Sequence, residues 1–241
     1  MKNIELPERM KSYEKVPQIK LTRRMPYIIR IDGKAFHTFT KGMKKPWDER
    51  LVNFMLDTAK FLCEQIQGVK LAYWQSDEIS LLLTDYDKLE TDAWFDKNVQ
   101  KITSVSASYA TGIFNERKNV YFNETKYNQQ MAYFDSKVFV VPKEDVCNYF
   151  IWRQRDAERN SILSLGNTYF SPKQMHKKNN KEVQEMLWQE YNINWNDCVT
   201  WKKRGACIIK KNDTNETRNY WSKDLDIPIF SQNRDYIEQY I

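Results

Sequence analysis

The stretch PYIIRID at residues 26–32 is a nearly continuous apolar run that is rich in β-branched residues. Such a run, followed directly by Gly33, predicts a strand that is buried inside a sheet. Two more short apolar runs, at 69–74 and 78–83, are separated only by Gln75, Ser76 and Asp77. Runs this close in the chain are expected to pair as an antiparallel hairpin.

Helical patterns alternate with these strands. Residues 48–66 carry apolar side chains on a 3.6-residue period, and Asp48 stands at the N-cap position after Pro46. Residues 91–114 have helical spacing with a face of small side chains, and 133–141 form a strand pattern that Pro142 ends. A third long helix is predicted at 144–165.

The order strand, helix, strand, strand, helix, strand is that of the ferredoxin-like unit. We therefore predict an α+β fold in which an antiparallel sheet carries its helices on one face. Residues 1–170 are assigned to this domain. Residues 171–241 are richer in charge, with a helix predicted at 181–191 and strands at 205–211 and 217–223, and are assigned to a small C-terminal extension packed on it.

Composition limits the class of protein. The 241 residues include 38 Lys and Arg against 32 Asp and Glu, a net charge of +6 that is compatible with a polyanionic partner. No apolar run has the length of about 18 residues that a membrane span needs, and the N-terminal residues lack the apolar stretch of a signal peptide. The four cysteines have no CxxC spacing, so we expect free thiols in a cytoplasmic protein without a membrane partner.

Three acids stand where strand patterns end or turn. Asp32 closes the first strand, and Asp77 and Glu78 lie at the hairpin turn that should neighbour it. Carboxylates brought together repel unless a cation neutralises them, and hard oxygen ligands favour Mg²⁺. Each acid alone would more simply be a solvated cap. Three together predict a catalytic site with two Mg²⁺ ions, as in phosphoryl transfer.

The loop after Asp32 has the composition of a phosphate site. Its backbone N–H groups would form a cradle for phosphate, although no GxxxxGK[ST] motif of a Walker ATPase occurs. Nearby lysines would meet a triphosphate as point charges. The nucleotide-binding residues predicted on this basis are Lys34, Ala35, Phe36, His37 and Lys45.

Two basic segments are candidate RNA contacts. On the third helix, residues 152–160 present either a nucleic-acid surface or an exposed face of ion pairs. In the extension, lysines alternate with tryptophans, which either stack on unpaired bases or belong to the core. The residues predicted to bind RNA are Arg153, Asp156, Arg159, Asn160, Lys202, Lys203 and Arg204.

Several blocks together resemble the tRNA(His) guanylyltransferase family. They are RIDGKAFHTF at 30–39, Lys45-Pro46, YWQSDE at 73–78, FDSKV at 134–138 and WRQ at 152–154. Where eukaryotic members carry HINNLYN, this chain reads ERNSILSLGNT at 158–168, which is similar to the guanylyltransferase-like branch.

The resemblance implies a polymerase or cyclase palm that adds nucleotides to the 5′ end of tRNA, in the 3′–5′ direction, after activation with ATP or GTP. It implies that Asp32, Asp77 and the Gly33 carbonyl hold both metal ions while Glu78 supports the site. Arg30, Lys45, Ser76 and Lys101 match positions that contact triphosphate. The branch implies template-dependent repair of 5′-truncated tRNA, and the family implies a homotetramer.

Two other functions remain open at this point. A nucleotide cyclase would use the same two-metal palm on one NTP, but it would leave the basic C-terminal segment without a task. A catalytically idle RNA-binding protein would keep the fold and lose the acids, whereas all three acids are present here.

Overall fold

The computed structural model describes residues 5–122, 127, 129–212 and 219–241. Its strands are β1 (Tyr27–Gly33), β2 (Val69–Gln75), β3 (Glu78–Leu83), β4 (Phe134–Val140), β5 (Ala206–Asn212) and β6 (Asn219–Asp224). They form one antiparallel sheet in the order β4-β1-β3-β2-β5-β6. The first four strands have the order of the ferredoxin-like unit, so the predicted α+β topology is confirmed.

The described helices include the four that the sequence predicted, of which all but one begin and end close to the predicted positions. They are α1 (Leu6–Lys15), α2 (Phe36–Phe39), α3 (Glu49–Gln65), α4 (Val99–Tyr121), α5 (Lys143–Tyr169), α6 (Pro172–Met175), α7 (Asn180–Tyr191), α8 (Thr200–Arg204) and α9 (Asp235–Glu238). Asp48 caps α3 as predicted, because its side chain accepts the Arg50 backbone N–H.

The exception is α4, which begins at Val99 and not at residue 91. Phe95, Asp96 and Lys97 have φ angles of 50°, 49° and 56°, which are left-handed and end any right-handed helix there. The Asn98 side chain then accepts the Lys101 N–H and caps a new helix. Apolar periodicity at 91–98 is therefore local and does not indicate helix.

Helices cover both faces of the sheet, which corrects the prediction of one helical face. α3 and α4 pack on the side of Tyr27, Ile29 and Ile31, whereas the first half of α5 packs with Ile28 on the opposite side. β3 is buried along its whole length. A strand that is apolar on both faces needs cover on both, and the periodicity of residues 144–165 does not tell which face the helix covers.

The C-terminal residues contribute to the same sheet. β5 pairs with β2, and α7 packs through Val183 and Leu187 on the second half of α5. The domain boundary at residue 170 stays a prediction. Residues 217 and 218 of the last predicted strand lie outside the described residues. In the described ranges no helix has the length and apolar character needed to cross a bilayer.

Candidate active site

The predicted acids lie at one end of the sheet. β1 and β3 pair so that Asp32 is directly opposite Glu78, which places both side chains on the face that α5 covers. Asp77 lies in the turn before β3, and its carbonyl accepts a hydrogen bond of 3.1 Å from the Gly33 N–H. Residues far apart in sequence are thus brought together as the hairpin prediction required.

A glycine is needed at position 33. A Cβ there would lie 2.3 Å from the Phe36 ring. That ring is 4% exposed and packs against Phe39, Phe114 and Phe134, so it has no room to move aside. The Phe36 side chain therefore belongs mainly to the core, and its backbone is the part that a nucleotide phosphate can contact.

Two arginines neutralise part of the acidic charge. The Arg30 Nε donates to Asp32 Oδ2 at 2.9 Å and lies 3.9 Å from Glu78 Oε2. Arg153 of α5 donates to both Glu78 oxygens at 2.7 and 2.6 Å, and to Asp156 at 3.0 Å. Arg153 is 6% exposed, so its burial does not fit the predicted contact with tRNA.

Negative charge nevertheless remains in surplus. Burial, together with the charge of Asp32, raises the pKa of Asp77 above its ordinary value, although a hydrogen bond from Ser76 opposes the shift. Burial also raises the pKa of Glu78, and Arg153 opposes it. No group of three His, Cys, Asp or Glu among the described residues is arranged to hold a metal ion. Since both carboxylate oxygens of Glu78 accept hydrogen bonds from Arg153, the acids left to bind a cation are Asp32 and Asp77.

A cleft of about 300 Å³ opens beside Asp77, between α2, the start of α3 and the second half of α5. It brings together residues predicted to bind nucleotide and residues predicted to bind tRNA. These are Phe36, His37, Lys45, Ser76, Asp77, Asn160, Lys202 and Lys203. The cleft is therefore a candidate substrate site that is lined by Asp77, one of the three predicted acids, and by several lysines.

Two tryptophans contact the Lys202 ammonium group on the wall of the cleft away from Asp77. Lys202 Nζ lies 5.6 Å from the centre of the Trp47 ring and 5.1 Å from that of Trp201, within cation–π distance of both. Its nearest carboxylate oxygen, on Glu49, is 3.7 Å away. Trp47 was not predicted as a site residue, and its place directly after Lys45-Pro46 is the only signal in the sequence.

The predicted phosphate cradle is smaller than expected. The Gly33 N–H donates to Asp77, and the Lys34 N–H donates to the Tyr133 carbonyl at 2.8 Å. Among the described residues, no acceptor takes the N–H groups of residues 35–37, where Ala35 has a left-handed φ of 53°. Three backbone donors thus stay available beside the acids, while the Lys34 side chain is exposed.

Some predicted residues lie elsewhere. Lys101 is in the first turn of α4, whereas the part of α4 near the acids begins at Thr111, which accepts the Phe134 N–H opposite Gly33. Within this chain Lys101 is therefore at the other end of the sheet. Arg204 is half-buried outside the cleft, and on α5 the exposed Arg159 pairs with Asp156.

A family model described as tRNAHis guanylyltransferase (Thg1) matches residues 7–142, more than half of the chain and all three acids. The chain belongs to the tRNA(His) guanylyltransferase family. It is therefore a nucleotidyltransferase, and the resemblance found in the sequence is confirmed.

Solved structures agree with this membership. A bacterial tRNA(His) guanylyltransferase (Thg1)-like protein in complex with ATP is 48% identical with a TM-score of 0.91, and covers 98% of this chain and 99% of its own. Such a bacterial protein in complex with GTP is 46% identical with a TM-score of 0.85, and the match covers 98% of each chain. A probable tRNA(His) guanylyltransferase of Dictyostelium discoideum is 30% identical over 217 residues, 85% of this chain and 82% of the relative.

Proposed function

We propose that this guanylyltransferase-family enzyme adds nucleotides to the 5′ end of tRNA in the 3′–5′ direction, after activating that end with ATP or GTP. One observation carries the proposal: a single cleft joins the Asp77 carboxylate to Lys45, Lys202 and Asn160. A reaction between a triphosphate and an RNA end needs acids for the ions and bases for both phosphates in one place.

Oxygen donors at this site fit two Mg²⁺ ions. Asp32, Asp77 and the Gly33 carbonyl are hard ligands, and a divalent cation would relieve the repulsion between the two carboxylates, which adds to burial in raising the pKa of Asp77. When bound, the two ions neutralise the transferring phosphoryl group and align the attacking and leaving oxygens. Glu78 supports the site from its place opposite Asp32.

The remaining residues bind and orient the substrates. The N–H groups of Ala35, Phe36 and His37 are the part of the predicted cradle that has no acceptor among the described residues, and they are suited to bind a triphosphate. Lys45 would supply the opposite charge. Lys202, Lys203 and Asn160 line the opposite wall and are suited to the sugar–phosphate backbone of tRNA. A contact of Lys101 with triphosphate stays a prediction.

We infer further that the added nucleotide is dictated by the opposing strand, so that the enzyme repairs 5′-truncated tRNA. The support is the higher identity to the bacterial Thg1-like protein, 48%, than to the Dictyostelium relative, 30%. The homotetramer implied by the family resemblance and the cytoplasmic location expected from the sequence stay predictions. Sedimentation equilibrium would check the first of these.

The test is extension of a labelled tRNA that lacks its first nucleotide, with ATP, all four NTPs and Mg²⁺. The base opposite the gap is varied among four otherwise matched tRNAs. Addition that follows the opposing base supports templated repair. Addition of one G regardless of that base supports strict guanylate addition, and pyrophosphate release from NTP without tRNA supports the cyclase.

A further inference from the structure

Arg153 joins α5 to the start of β3. Its Nε and one terminal nitrogen donate to the two oxygens of Glu78 at 2.7 and 2.6 Å. Both side chains are buried, at 6% and 4% exposure. Two parallel N–H···O bonds fix the plane of a carboxylate as well as its distance, so Glu78 has one orientation in this site.

A second contact between the same elements holds Glu78 from another side. Tyr149 is one helical turn before Arg153 and lies on the same face of α5, while Ser80 and Glu78 share a face of β3. The Tyr149 hydroxyl is 2.8 Å from Ser80 Oγ, which donates to Glu78 Oε1 at 3.3 Å. The helix therefore fixes the carboxylate through two independent side chains.

The position of Glu78 is passed on to Asp32 through Arg30. The Arg30 guanidinium lies between the two acids, 2.9 Å from Asp32 Oδ2 and 3.9 Å from Glu78 Oε2. If Glu78 moved, Arg30 would lose one of its two anionic neighbours and the Asp32 carboxylate would lose its fixed partner. A partner that orients a ligating carboxylate typically changes activity by about 10- to 100-fold when removed.

We propose that Arg153 is a positioning residue for transfer, which acts through Glu78 on Asp32 and does not contact tRNA. The two hydrogen bonds from its guanidinium group keep Glu78 from acting as a metal ligand, so Asp32 and Asp77 are left to bind the ions. This inference rests on the proposed function for its kinetic consequences, but its metal consequence can be measured without any transfer.

The experiment compares Glu78→Gln with Glu78→Gln/Arg153→Met, because the double variant leaves no unpaired buried charge. Since Arg153 acts through Glu78, the double variant should keep kcat within about threefold of Glu78→Gln. Arg153→Lys retains the charge without the two parallel hydrogen bonds and should lower kcat by about tenfold. The Kd of Arg153→Lys for tRNA should equal that of Arg155→Met, a control variant that removes an exposed arginine from the same helix.

Opposite results would overturn the inference. A direct tRNA contact would raise the Kd of every Arg153 variant above the Arg155→Met control, whatever residue occupies position 78. A purely structural role would lower the melting temperature of Arg153→Lys but leave kcat per active site unchanged.

Mn²⁺ binding, followed by electron paramagnetic resonance, separates this inference from the proposed function. Glu78→Gln should weaken Mn²⁺ binding by about tenfold, because it disturbs the orientation of Asp32 without removing a ligand, whereas Asp77→Asn removes a ligand and should weaken binding much more. A loss in Glu78→Gln as large as that in Asp77→Asn would overturn the inference, even if the wild type transferred nothing.

Discussion

The two ends of β3 each have a buried ion pair, and the pairs differ in what surrounds them. Beyond the last residue of the strand, Lys97 pairs with Asp85 at 3.0 Å, and both side chains are fully buried. Lys97 Nζ also donates to the carbonyls of Thr22 and Met25 at 2.7 and 2.9 Å, so three oxygens lie close to its charge. At the first residue, Glu78 pairs with Arg153 and Asp32 pairs with Arg30, but among the described residues no arginine forms an ion pair with Asp77.

We interpret the Lys97–Asp85 pair as stabilising the fold and the acids around Glu78 as candidates for catalysis. The Lys97 pair is fully buried and joins the segment before β1 to the sheet. The acidic end has a cleft, a carboxylate of raised pKa and three backbone donors without acceptors among the described residues. Buried charge alone therefore does not indicate function, whereas an unbalanced charge beside a cleft does.

Asp77→Asn gives the largest expected effect, because it removes the surplus charge itself. We expect kcat to fall by at least about 1,000-fold, since neutralisation by bound ions contributes several kcal/mol to transition-state stability. The fold should remain intact. Single-turnover transfer to truncated tRNA is the measurement, with Asp92→Asn, an exposed acid at the other end of the sheet, as the matched control.

A wild-type rate in Asp77→Asn with Mg²⁺ supplied would contradict the comparison, because the charge surplus would then have no catalytic role.

Lys97→Met tests the structural end. Removing one partner of a buried pair leaves an uncompensated charge, and the free energy of unfolding should fall by about 3–5 kcal/mol. Urea denaturation followed by circular dichroism would measure it. The double variant Lys97→Met/Asp85→Asn should recover most of the loss, and kcat of the folded fraction should not change.

If instead kcat fell in Lys97→Met while stability was preserved, the distinction between the two ends would be wrong.

Lys202→Met tests whether the basic residues of the cleft bind tRNA. The lysine lies within cation–π distance of two indole rings and should contact a tRNA phosphate, so its loss should weaken tRNA binding by about tenfold. The slope of log K against log salt should decrease by about one. Fluorescence anisotropy at several salt concentrations would measure both, and Lys173→Met on α6 removes an exposed charge outside the cleft as the control.

Equal effects of the two lysine variants would mean that the cleft wall contributes only general positive charge.

The smallest effect concerns pH. The pKa of Asp77 is raised in the folded state, so its contribution to stability is present below the ordinary aspartate pKa, about 3.9, and is lost as pH rises through the raised value. Without metal, Asp77→Asn should match the wild type near pH 4 and become the more stable protein toward neutral pH. Mg²⁺ should shrink that difference, because it binds only where the carboxylate remains.

A difference in unfolding free energy that is independent of pH would show that burial and Asp32 do not perturb Asp77.

Local signals in the sequence predicted much of this molecule. The apolar runs and the Asp48 cap located the first four strands and α3, and the short gap at 75–77 predicted the hairpin that brings Asp77 to Asp32. These features depend on residues within a few positions of each other. Periodicity and turn length are sufficient to find them.

Contacts between residues far apart in the sequence could not be predicted from periodicity and turn length. The pairing of β2 with β5 joins Trp74 to Ala206, and the hydrogen bonds of Arg153 to Glu78 join residues 75 positions apart. Nothing near Arg153 in the sequence distinguishes a buried arginine from an RNA-binding one, because Arg155 and Arg159 lie in the same charged segment. Lys101 illustrates the converse: its position matched a family motif, but three left-handed residues set the start of α4 far from the acids.

Position 33 connects chemistry and folding in a single residue. Any side chain there would collide with a phenylalanine ring that is fixed among three others. A library that randomises the active site would therefore lose nearly every variant at Gly33 through misfolding before activity could be measured. Intolerance at this position would report on aromatic packing and would say nothing about metal coordination, although the residue lies beside Asp32 and Asp77.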